Sequence, residues 1–200
     1  MKKISGFTLL ELLTTVAIAG VVMALAVPAM KSFVQRGKMT SYGNELVSAI
    51  QLARANAIKN AGFACVCPTT NAMDAVPACS GSNDWETGWM AFSDSTGDCV
   101  FNPADATPDV LIKVMDDDGF DNFTVRNNNS SINSLDYIRF NSRGVPVQPG
   151  GASQQGMFTI CDERGVGLDA NGDSITRGIE LSGAGSVRSL RDAAKLTSCP

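Results

Sequence analysis

Gly6-Phe7-Thr8-Leu9-Leu10-Glu11-Leu12-Leu13 is the stretch that decides how the rest of this chain is read. It follows Lys2 and Lys3, and after Glu11 no charge appears until Lys31. The 19 uncharged residues from Leu12 to Met30 would form a helix of roughly 28 Å, close to the hydrocarbon thickness of a bilayer. The segment can therefore span a membrane. A secretory signal peptide is the competing reading, with Lys2 and Lys3 as its basic start and Ala24-Leu25-Ala26 as a small-x-small cleavage site. Glu11 argues against it, because a carboxylate inside an apolar core costs about 2.5–3.5 kcal/mol on insertion scales. Such a charge calls for a partner. Cleavage between Gly6 and Phe7 would create an α-ammonium four residues before Glu11, and the same group on a neighbouring subunit could neutralise the carboxylate.

Beyond Pro28 the chain turns polar but keeps a helical period. Leu46, Ile50, Ala53 and Ala57 recur at helical spacing, Val47, Arg54 and Ile58 complete the stripe and its edge, and Gly62 is a natural stop. One helix over 7–61, apolar all round first and amphipathic second, accounts for the whole stretch. After it come short apolar runs at 63–67, 88–92, 110–114, 123–125, 137–140, 157–160 and 175–181, separated by Gly, Asn, Asp and Pro clusters. The reading is α+β: a long N-terminal transmembrane and amphipathic helix packed on a β-rich head of two antiparallel sheets. Trp89 and Phe92 are read as core or helix-packing residues.

The formal charge of −4 over 200 residues hides an asymmetry. Residues 1–60 carry seven Lys/Arg and two Glu, net +5, so the remainder is net −9. An acidic head is a poor general partner for phosphate backbones, and nucleic acid is not expected to bind without a local basic patch. The chain has no histidine, which removes Ser-His and Cys-His catalysis and the common histidine metal sites. It also lacks a GxSxG elbow, a Walker A loop, a dinucleotide fingerprint and HExxH. No enzymatic activity, cofactor or metal is expected.

All six cysteines, Cys65, Cys67, Cys79, Cys99, Cys161 and Cys199, lie beyond residue 60, which suits disulfides in an oxidising compartment. Cys65-Val66-Cys67 lacks the CxxC spacing of a redox or zinc site. Sequence leaves the fifteen connectivities open, although Cys161 with Cys199, tying the tail to a strand, is the expected bridge. Two acidic clusters imitate calcium loops. Asp169-Ala170-Asn171-Gly172-Asp173 with Glu180 has its glycine at the fourth rather than the sixth position and is read as a hairpin turn, and Asp116-Asp117-Asp118-Gly119 is read as a solvated loop.

Gly6-Phe7-Thr8-Leu9-Leu10-Glu11 resembles the class III signal of type IV prepilins and type II secretion pseudopilins. The resemblance implies cleavage after Gly6 by a prepilin peptidase, N-methylation of Phe7, and a subunit-registration role for Glu11. Gly20 and Pro28 fall where pilin helices carry helix-weakening residues, and proline lacks the donor a helix interior needs. Four head segments narrow the resemblance to the FimT/FimU/GspH branch. They are Asp84-Trp85-Glu86-Thr87-Gly88-Trp89 with Phe92 and Asp94, Ile138-Arg139-Phe140 with Gly144, Met157-Phe158-Thr159-Ile160-Cys161, and Gly178-Ile179-Glu180-Leu181-Ser182 leading to Gly185-Ser186-Val187-Arg188.

The implied organisation is a leader (1–6), a transmembrane and filament-core half-helix (7–30), an amphipathic half-helix (31–61) and a periplasmic β-rich head (62–200). The implied partners are other major and minor pilins or pseudopilins through the helix, the prepilin peptidase and inner-membrane lipid. The N-terminus would be cytoplasmic and the head periplasmic before the chain enters a filament. The functional expectation is a minor pilin near a type IV pilus tip, with a type II secretion pseudopilin as the alternative. A FimT-like DNA receptor is a third reading; that branch uses Gly-Arg-x-Arg, but Ser186 replaces its first arginine here, leaving Arg188, Arg191 and Lys195 as candidate contacts.

Overall fold

The computed structural model describes residues 6–116, 123–127, 136–169, 172–192, 194–196 and 198–199, with backbone only at Pro28 and Ala29. Lys2, Lys3, Asp117, Asp118, Gly119, Ala170 and Asn171 lie outside the described residues. The chain divides into two compact units, Met1–Gly37 and Lys38–Pro200. A single helix, α1 (Leu9–Lys59), contributes to both. Eight strands follow: β1 (Phe63–Pro68), β2 (Gly88–Asp94), β3 (Val110–Asp116), β4 (Phe123–Asn127), β5 (Ile138–Phe140), β6 (Gly156–Asp162), β7 (Arg177–Leu181) and β8 (Val187–Leu190). They form two four-stranded sheets, ordered β3-β2-β1-β5 and β4-β6-β7-β8, with every pairing antiparallel.

In the head unit, Met39, Tyr42, Leu46, Ala49, Ile50, Ala53 and Ala57 make one buried stripe along α1. The stripe joins a core with Ala64, Val66, Trp89, Ala91, Ile138 and Phe140 of the first sheet and Val125, Phe158, Ile160, Ile179 and Leu181 of the second. Each large side chain fully buried there contributes about 1.5–3 kcal/mol. Alanines at 49, 53 and 57 keep the helix slim where it meets the sheets, and Gly43 does the same against Ile160, whose Cδ1 lies 3.3 Å from where a Cβ would stand. The expected stripe is present but starts earlier, at Met39. Ile58 lies at its edge, half exposed.

The helix ends one residue sooner than the glycine suggests. Gly62 N–H donates to Ala57 O (3.1 Å) and Ala61 N–H to Ile58 O (3.3 Å), and Ala61 itself takes the left-handed conformation, φ 49°. This is a Schellman ending in which alanine occupies the position that usually goes to glycine.

Alternation along β1 sends Ala64 and Val66 to the helix and Cys65 and Cys67 to the opposite face. There, with Met90, Phe92 and Cys99, they build a second small core under the loops that follow β1 and β2. Cys65–Cys99 and Cys67–Cys79 staple those loops down. The second sheet is covered in the same manner. Cys161 on β6 is bonded to Cys199, and Leu196 of the tail is buried against Gly178, where an added Cβ would lie 2.9 Å from both Leu190 and Leu196.

A turn of 3-10 helix, Trp85–Thr87, connects the sheets. Trp85 packs edge-on against Phe158 with centroids 5.0 Å apart, and Tyr42 donates its hydroxyl to Trp85 O. Burial, with the charge of Glu86 second, holds the Tyr42 phenol well above its ordinary pKa. Asp84 and Glu86 both pair with Arg126 on β4.

Candidate functional site

The N-terminal unit is built to meet something other than water. Glu11 N–H donates to Thr8 Oγ1 (3.2 Å) and Leu12 N–H to Thr8 O (3.2 Å), so Thr8 caps α1 and Glu11 stands at the third helical position. A carboxylate in the first turn is also favoured by the helix dipole. Thr14 and Thr15 return their hydroxyls to Glu11 O (3.0 Å) and Leu12 O (2.9 Å), hiding polar groups that lipid could not satisfy. Every residue from 6 to 27 is exposed, and the segment is long and apolar enough to cross a membrane. Gly6 and Phe7 precede the helix in exposed chain, with Phe7 83% exposed. Gly20 has nothing within 4 Å of its would-be Cβ, and Pro28 lies inside the helical range.

Of the candidate DNA contacts, Arg188 is already engaged. Its Nε and Nη2 bond Glu180 Oε2 at 2.7 and 2.6 Å, and Lys195 Nζ stands 3.7 Å from the same oxygen. The pairing follows from register, since Glu180 is opposite Arg188 across β7 and β8. The Arg188 hydrogen bond chiefly holds the Glu180 carboxyl below its ordinary range. Arg191 adjoins Arg177, whose pKa is lowered by burial first and by Arg191 second. One carboxylate thus serves two of the three cations expected to meet phosphate.

The acidic clusters resolve differently. Asp169 N–H bonds Asp173 O (2.8 Å), Gly172 N–H bonds Asp169 O (2.9 Å), Gly172 has φ 82° and Leu168 bridges Ser174 antiparallel, so the described flanks of this cluster pair with each other. Glu180 is bonded to Arg188 across β7 and β8. Asp116 ends β3, and the rest of its cluster lies outside the described residues. Cys65, Cys99 and Asp94 bring potential ligand atoms within 4.8 Å of one another. The two sulfurs are bonded to each other, however, and Asp94 accepts N–H groups from Thr96 (3.1 Å), Gly97 (2.6 Å) and Cys99 (2.9 Å). The group is a turn brace.

Two arginines do more than sequence reasoning assigned to them. Arg139, buried on β5, donates to the carbonyls of Gly97, Val147 and Gln148 and lies 5.1 Å over the Phe63 ring. Arg54 on α1 donates Nε to Gly144 O (2.9 Å) and Nη2 to Ala184 O (3.2 Å), joining a turn of each sheet to the helix. Neither has a sequence signal beyond an arginine at the edge or interior of an apolar pattern.

The family described as "Type II transport protein GspH" matches residues 43–185, and the "Prokaryotic N-terminal methylation motif" matches residues 1–27. No curated protein matches the chain. Among solved structures, the type IV minor pilin FimU of Pseudomonas aeruginosa (strain PAO1), in space group P21, is 20% identical with a TM-score of 0.53, covering 84% of this chain and 99% of that one. Its P65 form is also 20% identical, with a TM-score of 0.49 over 80% and 99%. At that identity the P21 likeness is one of fold.

Proposed function

The chain belongs to the GspH family of minor pilins and pseudopilins, membrane-anchored structural subunits, and on that premise we propose that it is a minor subunit of a type IV pilus. In this reading a prepilin peptidase removes residues 1–6 and methylates Phe7, residues 7–30 hold the chain in the inner membrane, and the head waits in the periplasm. Assembly transfers the apolar half of α1 from lipid to a bundle of like helices near the filament tip, where the subunit initiates or links the filament.

The observation that carries the reading is Glu11. It is the one carboxylate in the exposed apolar first half of α1, and it stands in the first turn of that helix. Lipid offers it no partner, whereas the methylated α-ammonium of an adjacent subunit does. The matching family, named for a type II transport protein, favours a second reading, a type II secretion pseudopilus, which uses the same helix chemistry. The DNA-receptor reading is disfavoured by Ser186 and by the engagement of Arg188 and Lys195 with Glu180.

A deletion strain complemented with wild type or with Glu11→Ala separates the alternatives. A pilus subunit requires that surface pili vanish, that secretion into the medium persists, and that only wild type restores the pili. Loss of secretion with pili intact would replace this reading with the pseudopilus, and full rescue by Glu11→Ala would remove the helix-assembly mechanism.

A further inference from the structure

Each sheet ends in two edge strands, and an edge is a row of backbone groups open to pairing unless something covers it. β5 is covered by the chain after it: Arg139 N–H donates to Gln154 Oε1 (2.9 Å) and Arg139 O accepts from Val147 N–H (2.8 Å). β4 is closed by side chains. Val125 N–H donates to Glu86 Oε2 (3.1 Å), Asn127 N–H to Asn83 Oδ1 (3.1 Å), and Asn83 Nδ2 to Asn127 O (3.3 Å).

β8 has no such device. Ser182 N–H bonds Ser186 O (2.9 Å), which sets the ladder phase so that Arg188 and Leu190 bond β7 while Val187 and Ser189 point their N–H and C=O groups outward. Among the described residues, nothing bonds those groups. Beside them runs a groove of ≈360 Å³, with Gln51, Arg54, Ala55 and Ile58 of α1 on one side and Gly185, Ser186 and Val187 on the other; Arg54 already donates Nε to Gly144 O and Nη2 to Ala184 O. An open strand edge facing a helix across a groove is the arrangement that accepts an extended peptide as an added strand.

We infer that the β8 edge and this groove receive an extended, acidic segment of a neighbouring filament subunit by strand addition. The inference rests on the filament reading above. Its chemistry follows from the two faces of β8. On the inner face, where Val187 packs against the core, an incoming residue meets Ala55 and the half-exposed Ile58, so it should be small or apolar. On the outer face stand Arg188 and Lys195, which share the single carboxylate of Glu180, with Arg191 next along the chain. A carboxylate on the added strand, directly beside Arg188, would complete that set. The head's own balance of net −9 makes acidic segments plentiful on subunits of this composition. The remaining edge, β3, differs in its charge balance: its one cation, Lys113, has a carboxylate to itself in Glu45, whereas Arg188 and Lys195 share one.

The test places a photo-cross-linking residue at Ala55 in the full chain, in cells, and reads adducts by peptide mass spectrometry from sheared filaments. The expected adduct joins Ala55 to an Asp- or Glu-bearing segment of another filament subunit. Its yield should fall at least tenfold in Ser189→Pro, which removes an outward N–H without touching the β7 ladder, and in Arg188→Glu. Retention of all three disulfides and an unchanged melting temperature exclude misfolding as the cause. Undiminished cross-linking in both variants overturns strand addition, as does an adduct with nucleic acid or lipid alone, or none in filaments that contain the chain. Absence of the wild-type chain from filaments would instead defeat the filament reading itself.

Discussion

Removing the tail bridge by Cys161→Ala with Cys199→Ala should cost the head about 4 kcal/mol. The bridge spans a sequence separation of 38 residues, and the chain-entropy relation for a loop of that size gives about 4 kcal/mol at 25 °C. Alanine is the proper replacement because Cys161 is 2% exposed, and a serine hydroxyl there would add a desolvation penalty to the measurement. The untethered tail would also loosen Leu196 from Gly178, which lies on the same face. Set against a total of about 5–15 kcal/mol for a domain, the loss is large. With a urea slope of about 2 kcal/mol per molar, the midpoint should fall by about 2 M, read by circular dichroism of the full chain in mild detergent. A shift below about 0.5 M with an unchanged slope would refute the claim that the tail is a structural cover for the second sheet.

Three further outcomes follow from single features. Tyr42 has a folded-state pKa above its unfolded value of about 10, so the unfolded chain ionises first and stability is lost as pH rises from 10 through the higher folded value; Tyr42→Phe should cost about 1 kcal/mol at neutral pH and flatten that alkaline loss, and an identical alkaline profile would remove Tyr42 from it. Ala61→Gly should stabilise the head by about 0.5–1 kcal/mol, since relief of left-handed strain outweighs the added unfolded-state entropy, and a melting temperature that does not rise counts against the Schellman ending. Duplex DNA titrated with the full chain at two salt concentrations should bind weakly with a shallow salt slope, and micromolar affinity at physiological salt abolished by Arg188→Ala with Arg191→Ala would reinstate the receptor reading.

Much of this architecture is legible in the residues because its signals are local. The N-terminal run announces itself by length and by one misplaced carboxylate, and seven of the strands coincide with apolar runs between turn residues. β8 escapes because Val187-Arg188-Ser189-Leu190 is a four-residue edge, too short and too polar to stand out as a run. Met39 and Tyr42 extend the helix stripe from a segment that reads as polar, and a buried tyrosine announces itself only when Trp85, 43 residues away, supplies the acceptor. The CxC spacing held unused information: alternation places Cys65 and Cys67 on one face of β1, although their partners at 99 and 79 depend on loops whose course no period predicts. Arg54 and Arg139 are non-local in the same way, since the carbonyls they hold come from turns distant in sequence.

Assembly through α1 depends on the processing of the N-terminus, and the mass of the mature N-terminal peptide tests it most directly. Cleavage after Gly6 frees the ammonium that Glu11 requires and leaves α1 intact as an anchor. Mass spectrometry of the protein recovered from cells should find Phe7 as the first residue, carrying a methyl group on its nitrogen. A mature chain beginning near Val27, after the Ala24-Leu25-Ala26 site, would mean ordinary secretion without a membrane helix and would contradict assembly through α1 altogether.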